Sequence, residues 1–102
     1  MSNVYLAGPM RGMPDLNRLA FHAAAKTLRE EGHIVFNPAE QDIKQADLES
    51  DISVTRNCFL HDTQWICQFA DIIALLPGWV YSRGAKAEKA LGEAIGLEIR
   101  YL

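Results

Sequence analysis

The stretch Ala70-Asp71-Ile72-Ile73-Ala74-Leu75-Leu76-Pro77-Gly78, followed by Ser82-Arg83-Gly84-Ala85-Lys86-Ala87-Glu88, decides how this chain is read. Ile72 to Leu76 is a short apolar run closed by Pro77-Gly78, the pattern of a strand buried on both faces in a parallel sheet. After a loop from Trp79 to Arg83 the spacing turns helical from about Gly84 to Ile95. Ala87, Ala90, Leu91, Ala94 and Ile95 are assigned to its buried face, and Gly96 is the stop. This order sets Glu88 in the first turns of a helix at the carboxyl ends of the strands, where open α/β sheets place ligands.

Upstream, Val4 to Ala7 is a β-favouring run ended by Gly8-Pro9, a first buried strand. Pro14-Asp15 opens a helix, with Asp15 as N-cap, Leu16, Leu19, Ala20, Ala23, Ala24, Thr27 and Leu28 as its buried face, and Gly32 as its end. Ile34-Val35-Phe36 is a second strand cut off by Asn37-Pro38, because proline cannot donate to a ladder. Residues 39 to 57 are polar and acidic, with Ile43, Leu48 and Ile52 too sparse to fix a period. Short helical pieces and a mobile lid both fit them, and the acidic run from Glu40 to Asp51 reads as a solvated face. Cys58 to Phe69 returns to helical spacing through Phe59, Trp65, Ile66 and Phe69, and Glu98 to Leu102 makes a terminal strand. Strands alternating with helices over short connections specify a single-domain α/β chain over residues 1–102. The expected fold is a Rossmann- or flavodoxin-like three-layer sandwich on a four- to five-stranded parallel sheet.

A chain of 102 residues can bury roughly two-thirds of its unfolded surface around a single core. Hydrophobic residues make up 49%, charged residues 23%, and the formal charge is -3, so there is no basic field for nucleic acid and none is expected as a partner. No membrane span or basic leader is visible, and Cys58 and Cys67 form no C-x-x-C or disulfide pattern. The expectation is a reduced cytoplasmic setting with no metal and no cofactor.

Two constellations carry chemistry. The turn Gly8-Pro9-Met10-Arg11-Gly12 lacks both G-x-G-x-x-G and Gly-Lys-Ser/Thr, which removes the usual dinucleotide and Walker signatures. It can still present backbone N–H groups and the Arg11 fork to an anion; equally, it is a turn that needs two glycines. Glu88 has Gly84 and Gly92 four residues to either side on one helical face. A mid-helix glycine costs about 1 kcal/mol relative to alanine, so a swept face serving as a substrate floor would account for the pair. The other reading of Glu88 is a solvated helix carboxylate. Ser82 can donate a hydrogen bond to ligand or carboxylate, or simply precede a helix. Asp62, expected near the start of the third helical segment, is a second candidate carboxylate or a helix-start acid favoured by the dipole. His22 and His33 read as surface residues, and Met10, Trp79 and Tyr81 as possible contacts to a base. Together these features suggest an enzyme acting on a small phosphorylated or sugar-bearing molecule.

Val4-Tyr5-Leu6-Ala7-Gly8-Pro9 with Arg11-Gly12, Asn37-Pro38-Ala39-Glu40, Ala70 to Trp79, and Ser82-x-Gly84-Ala85-x-x-Glu88 together resemble, in order and spacing, domain-of-unknown-function family 4406. That group is similar to nucleoside 2-deoxyribosyltransferases and, at the Arg11-Gly12 turn, to 2′-deoxynucleoside 5′-phosphate N-hydrolases. The resemblance implies that Glu88 is the nucleophile, that Tyr5 of the first strand lies in the active site, and that Asp62 is the sugar-side carboxylate. It implies a 5′-phosphate ligand through Ser82, which stands where the transferases carry aspartate, together with the Gly8 to Gly12 turn. A homodimer or higher homo-oligomer is also implied. The characterised enzymes continue into a loop reaching a neighbouring subunit's pocket, whereas this chain stops at Leu102, so it either completes the site differently or has lost turnover.

The implied chemistry is cleavage of an N-glycosidic bond. Glu88, expected to be kept ionised by the helix N-terminus, catches C1′, while Asp62 orients the sugar or helps protonate the base. Water then gives a hydrolase and a second base a transferase. Two rivals stand beside it: a phosphoribohydrolase acting on ribonucleotides, weakened by Ala85 and a longer spacer, and a non-catalytic nucleotide sensor.

Overall fold

The structure is a computed structural model that describes residues 1–102. Four strands, β1 (Asn3–Ala7), β2 (Ile34–Phe36), β3 (Ile72–Leu75) and β4 (Glu98–Tyr101), pair in parallel in the order β2-β1-β3-β4. Val4 lies opposite both Val35 and Ile72, and Ile73 opposite Ile99, so β1 and β3 are the central strands. Both are almost wholly buried, which is why they read as unbroken apolar runs rather than alternating ones.

The two-residue period of β1 divides the core. Val4 and Leu6 face α1 (Arg18–Glu30), which covers them with Phe21, Ala25 and Leu28. Tyr5 and Ala7 face the opposite side, toward Ile66 of α3 (Ile52–Phe69) and Ala85 of α4 (Arg83–Ala94). The expected three-layer sandwich is therefore present, with four strands. The chain leaves β1 across one face and reaches β3 across the other, so a crevice opens between their carboxyl ends, where doubly wound sheets bind ligands. At the β2 edge, Arg29 donates to the Val35 carbonyl at 2.9 Å and pairs with Glu40 at 2.8 Å, which blunts an otherwise open ladder. No helix is long and apolar enough to cross a membrane.

Five expectations need correction. Asp15 does not cap α1. Asp15, Leu16 and Asn17 lie in a left-handed turn, with φ of 49°, 54° and 59°, and α1 starts at Arg18. This turn costs roughly 1 kcal/mol or more per residue. Leu16, 1% exposed, and the Asn17 amide, which donates to the Pro9 carbonyl at 3.0 Å, offset the cost. The turn breaks the phase between Leu16 and the helix proper, so the buried face is Phe21, Ala25 and Leu28, while Leu19, Ala23 and Thr27 are exposed.

Within the stretch that had no readable period lie a 3-10 turn (Pro38–Glu40), the short α2 (Gln45–Ser50) and the first two turns of α3. That helix begins six residues before Cys58, because the Asp51 side chain accepts from the Ser53 N–H and caps it. On α4 the buried residues are Ala85, Glu88 and Gly92, whereas Ala87, Ala90, Ala94 and Ile95 are exposed.

Gly92 is not part of a substrate floor. A Cβ there would meet Ile73 Cγ1 at 2.6 Å, so its glycine lets α4 lie close on the sheet. Gly84 has only the Ser82 hydroxyl within reach, at 4.0 Å. Gly92→Ala is therefore expected to destabilise by about 1–3 kcal/mol through overpacking, and Gly84→Ala to be neutral or stabilising by up to ~1 kcal/mol. Urea unfolding of the two variants checks the contrast; equal midpoints would refute it.

Candidate active site

The crevice at the carboxyl ends of β1 and β3 is a cavity of about 680 Å³. Its floor is Tyr5 from β1, Asp62 from α3 and Glu88 from α4. Tyr5 is turned inward by the strand alternation, stacks on Phe36 with ring centroids 5.3 Å apart, and is 1% exposed. Its hydroxyl donates to Glu88 Oε2 at 2.6 Å. Glu88 lies on the sheet-facing side of α4, three residues after Ala85 and four before Gly92, and is 6% exposed. A solvated-carboxylate reading of Glu88 is thereby overturned.

Asp62 occupies the sheet-facing side of α3, four residues before the fully buried Ile66, and is 8% exposed. It lies mid-helix rather than at a helix start, so the dipole does not explain it. Its Oδ1 accepts from Gln41 Nε2 at 3.3 Å.

Burial dominates the electrostatics. Removal from water pushes the Glu88 carboxyl up to about 8; the nearby Asp62 charge adds to this, and the Tyr5 hydrogen bond opposes it. The expectation that the helix N-terminus keeps Glu88 ionised fails. Glu88 is the sixth residue of α4, beyond the first turn where the dipole acts, and desolvation outweighs it. Burial likewise raises Asp62 to about 6, against the nearby Tyr5 hydroxyl, the Gln41 hydrogen bond and the charge of His61. The Tyr5 hydroxyl is pushed well up by burial first, then by the charges of Glu88 and Asp62. Burial thus favours the protonated form of both carboxyls, of Glu88 more strongly, and the coupled pair is expected to share one proton near neutral pH.

Of the first loop, Gly8, Pro9, Met10 and Arg11 line the cavity, while Gly12 does not. Gly12 has φ of 81°, and its N–H donates to Glu49 of α2 at 3.3 Å, so this amide is turned away from any ligand. Gly8 is required by packing, since a Cβ would sit 2.8 Å from that of Leu76. Arg11 donates to the Thr55 hydroxyl at 2.5 Å.

Ser82 is the N-cap of α4, its Oγ accepting from the Ala85 N–H at 3.1 Å. Both readings of Ser82 are thus compatible, because the hydroxyl proton remains free to donate. Ser82, Arg83 and Gly84 line the rim. Tyr81, 89% exposed, also borders the cavity, whereas Trp79 packs on Tyr101 at 5.8 Å and under Lys89. Gln41, Thr55, Cys58 and Phe59 also line the cavity and were not singled out from the sequence. They fall in or beside the stretch without a readable period.

A family model described as domain of unknown function (DUF4406) matches residues 2–101, and the chain belongs to that family. No curated protein and no solved structure matches it.

The buried acid has a measurable consequence for folding. Glu88 is raised from its ordinary 4.5 to about 8, so the fold favours its protonated form. The associated stability is present below about 4.5 and lost as pH rises through about 8. Glu88→Gln, which mimics the protonated state, is expected to melt higher than the parent at pH 8.5 by roughly 5 °C or more, with a smaller difference at pH 5. Equal melting differences at both pH values would contradict the assignment.

Proposed function

We propose that this chain cleaves the N-glycosidic bond of a (deoxy)nucleoside 5′-monophosphate through a covalent sugar intermediate on Glu88. The observation that carries this reading is the 2.6 Å hydrogen bond between Tyr5 and Glu88, with Asp62 beside them in the same closed end of the cavity. A volume of about 680 Å³ suits a small ligand, and Arg11, Arg83 and the Ser82 hydroxyl at the mouth suit its phosphate. The resemblance to nucleoside 2-deoxyribosyltransferases and nucleotide N-hydrolases points the same way. A module that only binds nucleotide gains nothing from two buried carboxyls sharing one proton, which argues against the sensor reading.

The proton arrangement supplies a mechanism. Once the Tyr5 hydroxyl turns from Glu88 toward Asp62, Glu88 passes its proton to the Tyr5 oxygen while Tyr5 passes its own to Asp62, so one relay ionises the nucleophile and charges the acid. Glu88 then attacks C1′; the C1′–N electron pair leaves with the base, which takes the proton from Asp62. In the second half Asp62, now ionised, removes a proton from a water attacking C1′, and Glu88 departs as carboxylate. The products are free base and sugar 5-phosphate. A second base in place of water makes the same machinery a transferase. This chemistry belongs to a reduced, nucleotide-rich compartment, and the cytoplasm is the setting we assign. The exposed Ala87, Ala90, Ala94 and Ile95 on α4 support a homo-oligomer.

Incubating the protein with deoxyribo- and ribonucleoside 5′-monophosphates, and with the parent nucleosides, tests the reading. Base release is expected from the phosphorylated deoxy compounds, falling at least 10³-fold in Glu88→Gln. Binding without release would sink the enzyme reading, and preference for ribonucleotides would move it to a phosphoribohydrolase.

The pH profile of kcat/KM is expected to be a bell with limbs near 6 and near 8. Below the first limb Asp62 is already protonated and cannot accept from Glu88; above the second no proton remains for the departing base. A rate still rising above pH 9 would contradict the shared-proton mechanism.

A further inference from the structure

We infer that Gln41 is a positioning residue for the reaction proposed above: its side-chain amide donates to Asp62 Oδ1 and holds that carboxylate in place to take the proton from Glu88. The inference rests on that reading of the site for its catalytic meaning, but the contact exists in the protein without substrate.

Gln41 is held by its own backbone. Its N–H donates to the Pro38 carbonyl at 3.2 Å, and its carbonyl accepts from the Ile43 N–H at 3.0 Å. The preceding 3-10 turn is itself fixed by the buried Asn37, whose side chain accepts from the Ala39 N–H at 3.0 Å. The amide is thus delivered from the end of β2 by a tight, hydrogen-bonded turn rather than by a free loop. It meets Asp62 at 3.3 Å.

Gln41 also lines a shallower cleft on the other side, with Phe36, His61, Gln64, Trp65 and Gln68. Gln41 is thus shared by the lining of that cleft and of the cavity. An amide N–H is a donor to the ionised form of a carboxylate, so its effect opposes burial.

The groups that act on Asp62 come from three elements. The Tyr5 hydroxyl of β1 lies near Asp62 but donates to Glu88, Glu88 of α4 is a competing acid, and Cys58 and His61 lie on α3 itself. Arg11 and Arg83 border the same cavity at its mouth. Of these, Tyr5 is shared with Glu88, and His61 is exposed to solvent. Gln41 alone combines a direct hydrogen bond to Asp62 with no ionisation of its own.

The test is a titration. The Asp62 side-chain carbon is followed by carbon-13 NMR between pH 4 and 10 in the parent protein, in Gln41→Met and in Gln41→Leu, with Asp62→Asn identifying the signal. The parent midpoint near 6 is expected to rise by about one pH unit in both variants. On an active substrate the lower limb of kcat/KM should move up with it. A phosphate monoester also titrates near pH 6, but replacing Gln41 leaves that ionisation unmoved. A midpoint that stays put or falls in a variant retaining the parent circular-dichroism spectrum would overturn the inference. Two apolar replacements of different shape guard against a single misfolded variant. Because the titration uses no substrate, absence of turnover in the parent protein refutes the N-glycosidase reading alone.

Discussion

The structure depends on one short hydrogen bond formed where water has been expelled: the Tyr5 hydroxyl against the Glu88 carboxyl, at the carboxyl end of the sheet. Tyr5 belongs to a central strand and Glu88 to the last helix, 83 residues later, so the bond spans more sequence than any other side-chain hydrogen bond and joins two buried residues. Asp62 arrives from a third element. Three acidic groups packed among apolar neighbours cannot all ionise, so Tyr5 keeps its own proton and the two carboxyls share one more. The same constraint that makes this corner of the core expensive gives it chemistry.

Much of the architecture was legible because parallel-sheet strands announce themselves. Val4 to Ala7, Ile34 to Phe36 and Ile72 to Leu76 are apolar runs closed by glycine or proline, and each is a strand within a residue of where its run lies. Glu88 was legible through its place after the third of them. What failed was phase. The left-handed turn at Asp15 to Asn17 rotates α1 by an amount that no periodicity count contains. On α4 the alanines look like core, but the true face is Ala85, Glu88 and Gly92, which a hydropathy pattern cannot choose because it contains a carboxylate and a glycine.

The candidate site was legible in its members more than in their state. Tyr5, Asp62 and Glu88 do meet, although Asp62 was expected at a helix start. The ionisation of Glu88 was read the wrong way round, since the helix dipole acts locally whereas burial acts on the whole carboxyl group. Gln41 and Thr55 had no signal at all: they belong to a polar stretch with no readable period, and only the folded geometry gives them neighbours. The first loop is a mixed case. Gly8 to Arg11 do border the cavity, yet both glycines are accounted for by packing and turn geometry, so their presence in the sequence was no evidence of a ligand.

The close approach of Gly8 to Leu76 ties together the exits of the two central strands. A methyl group at position 8 would sit 2.8 Å from the Cβ of Leu76, an atom that every residue but glycine keeps, so it fits only with glycine at 76 or a shift of the backbone. Substitutions at these two positions are therefore not independent, and their energetic effects should not sum.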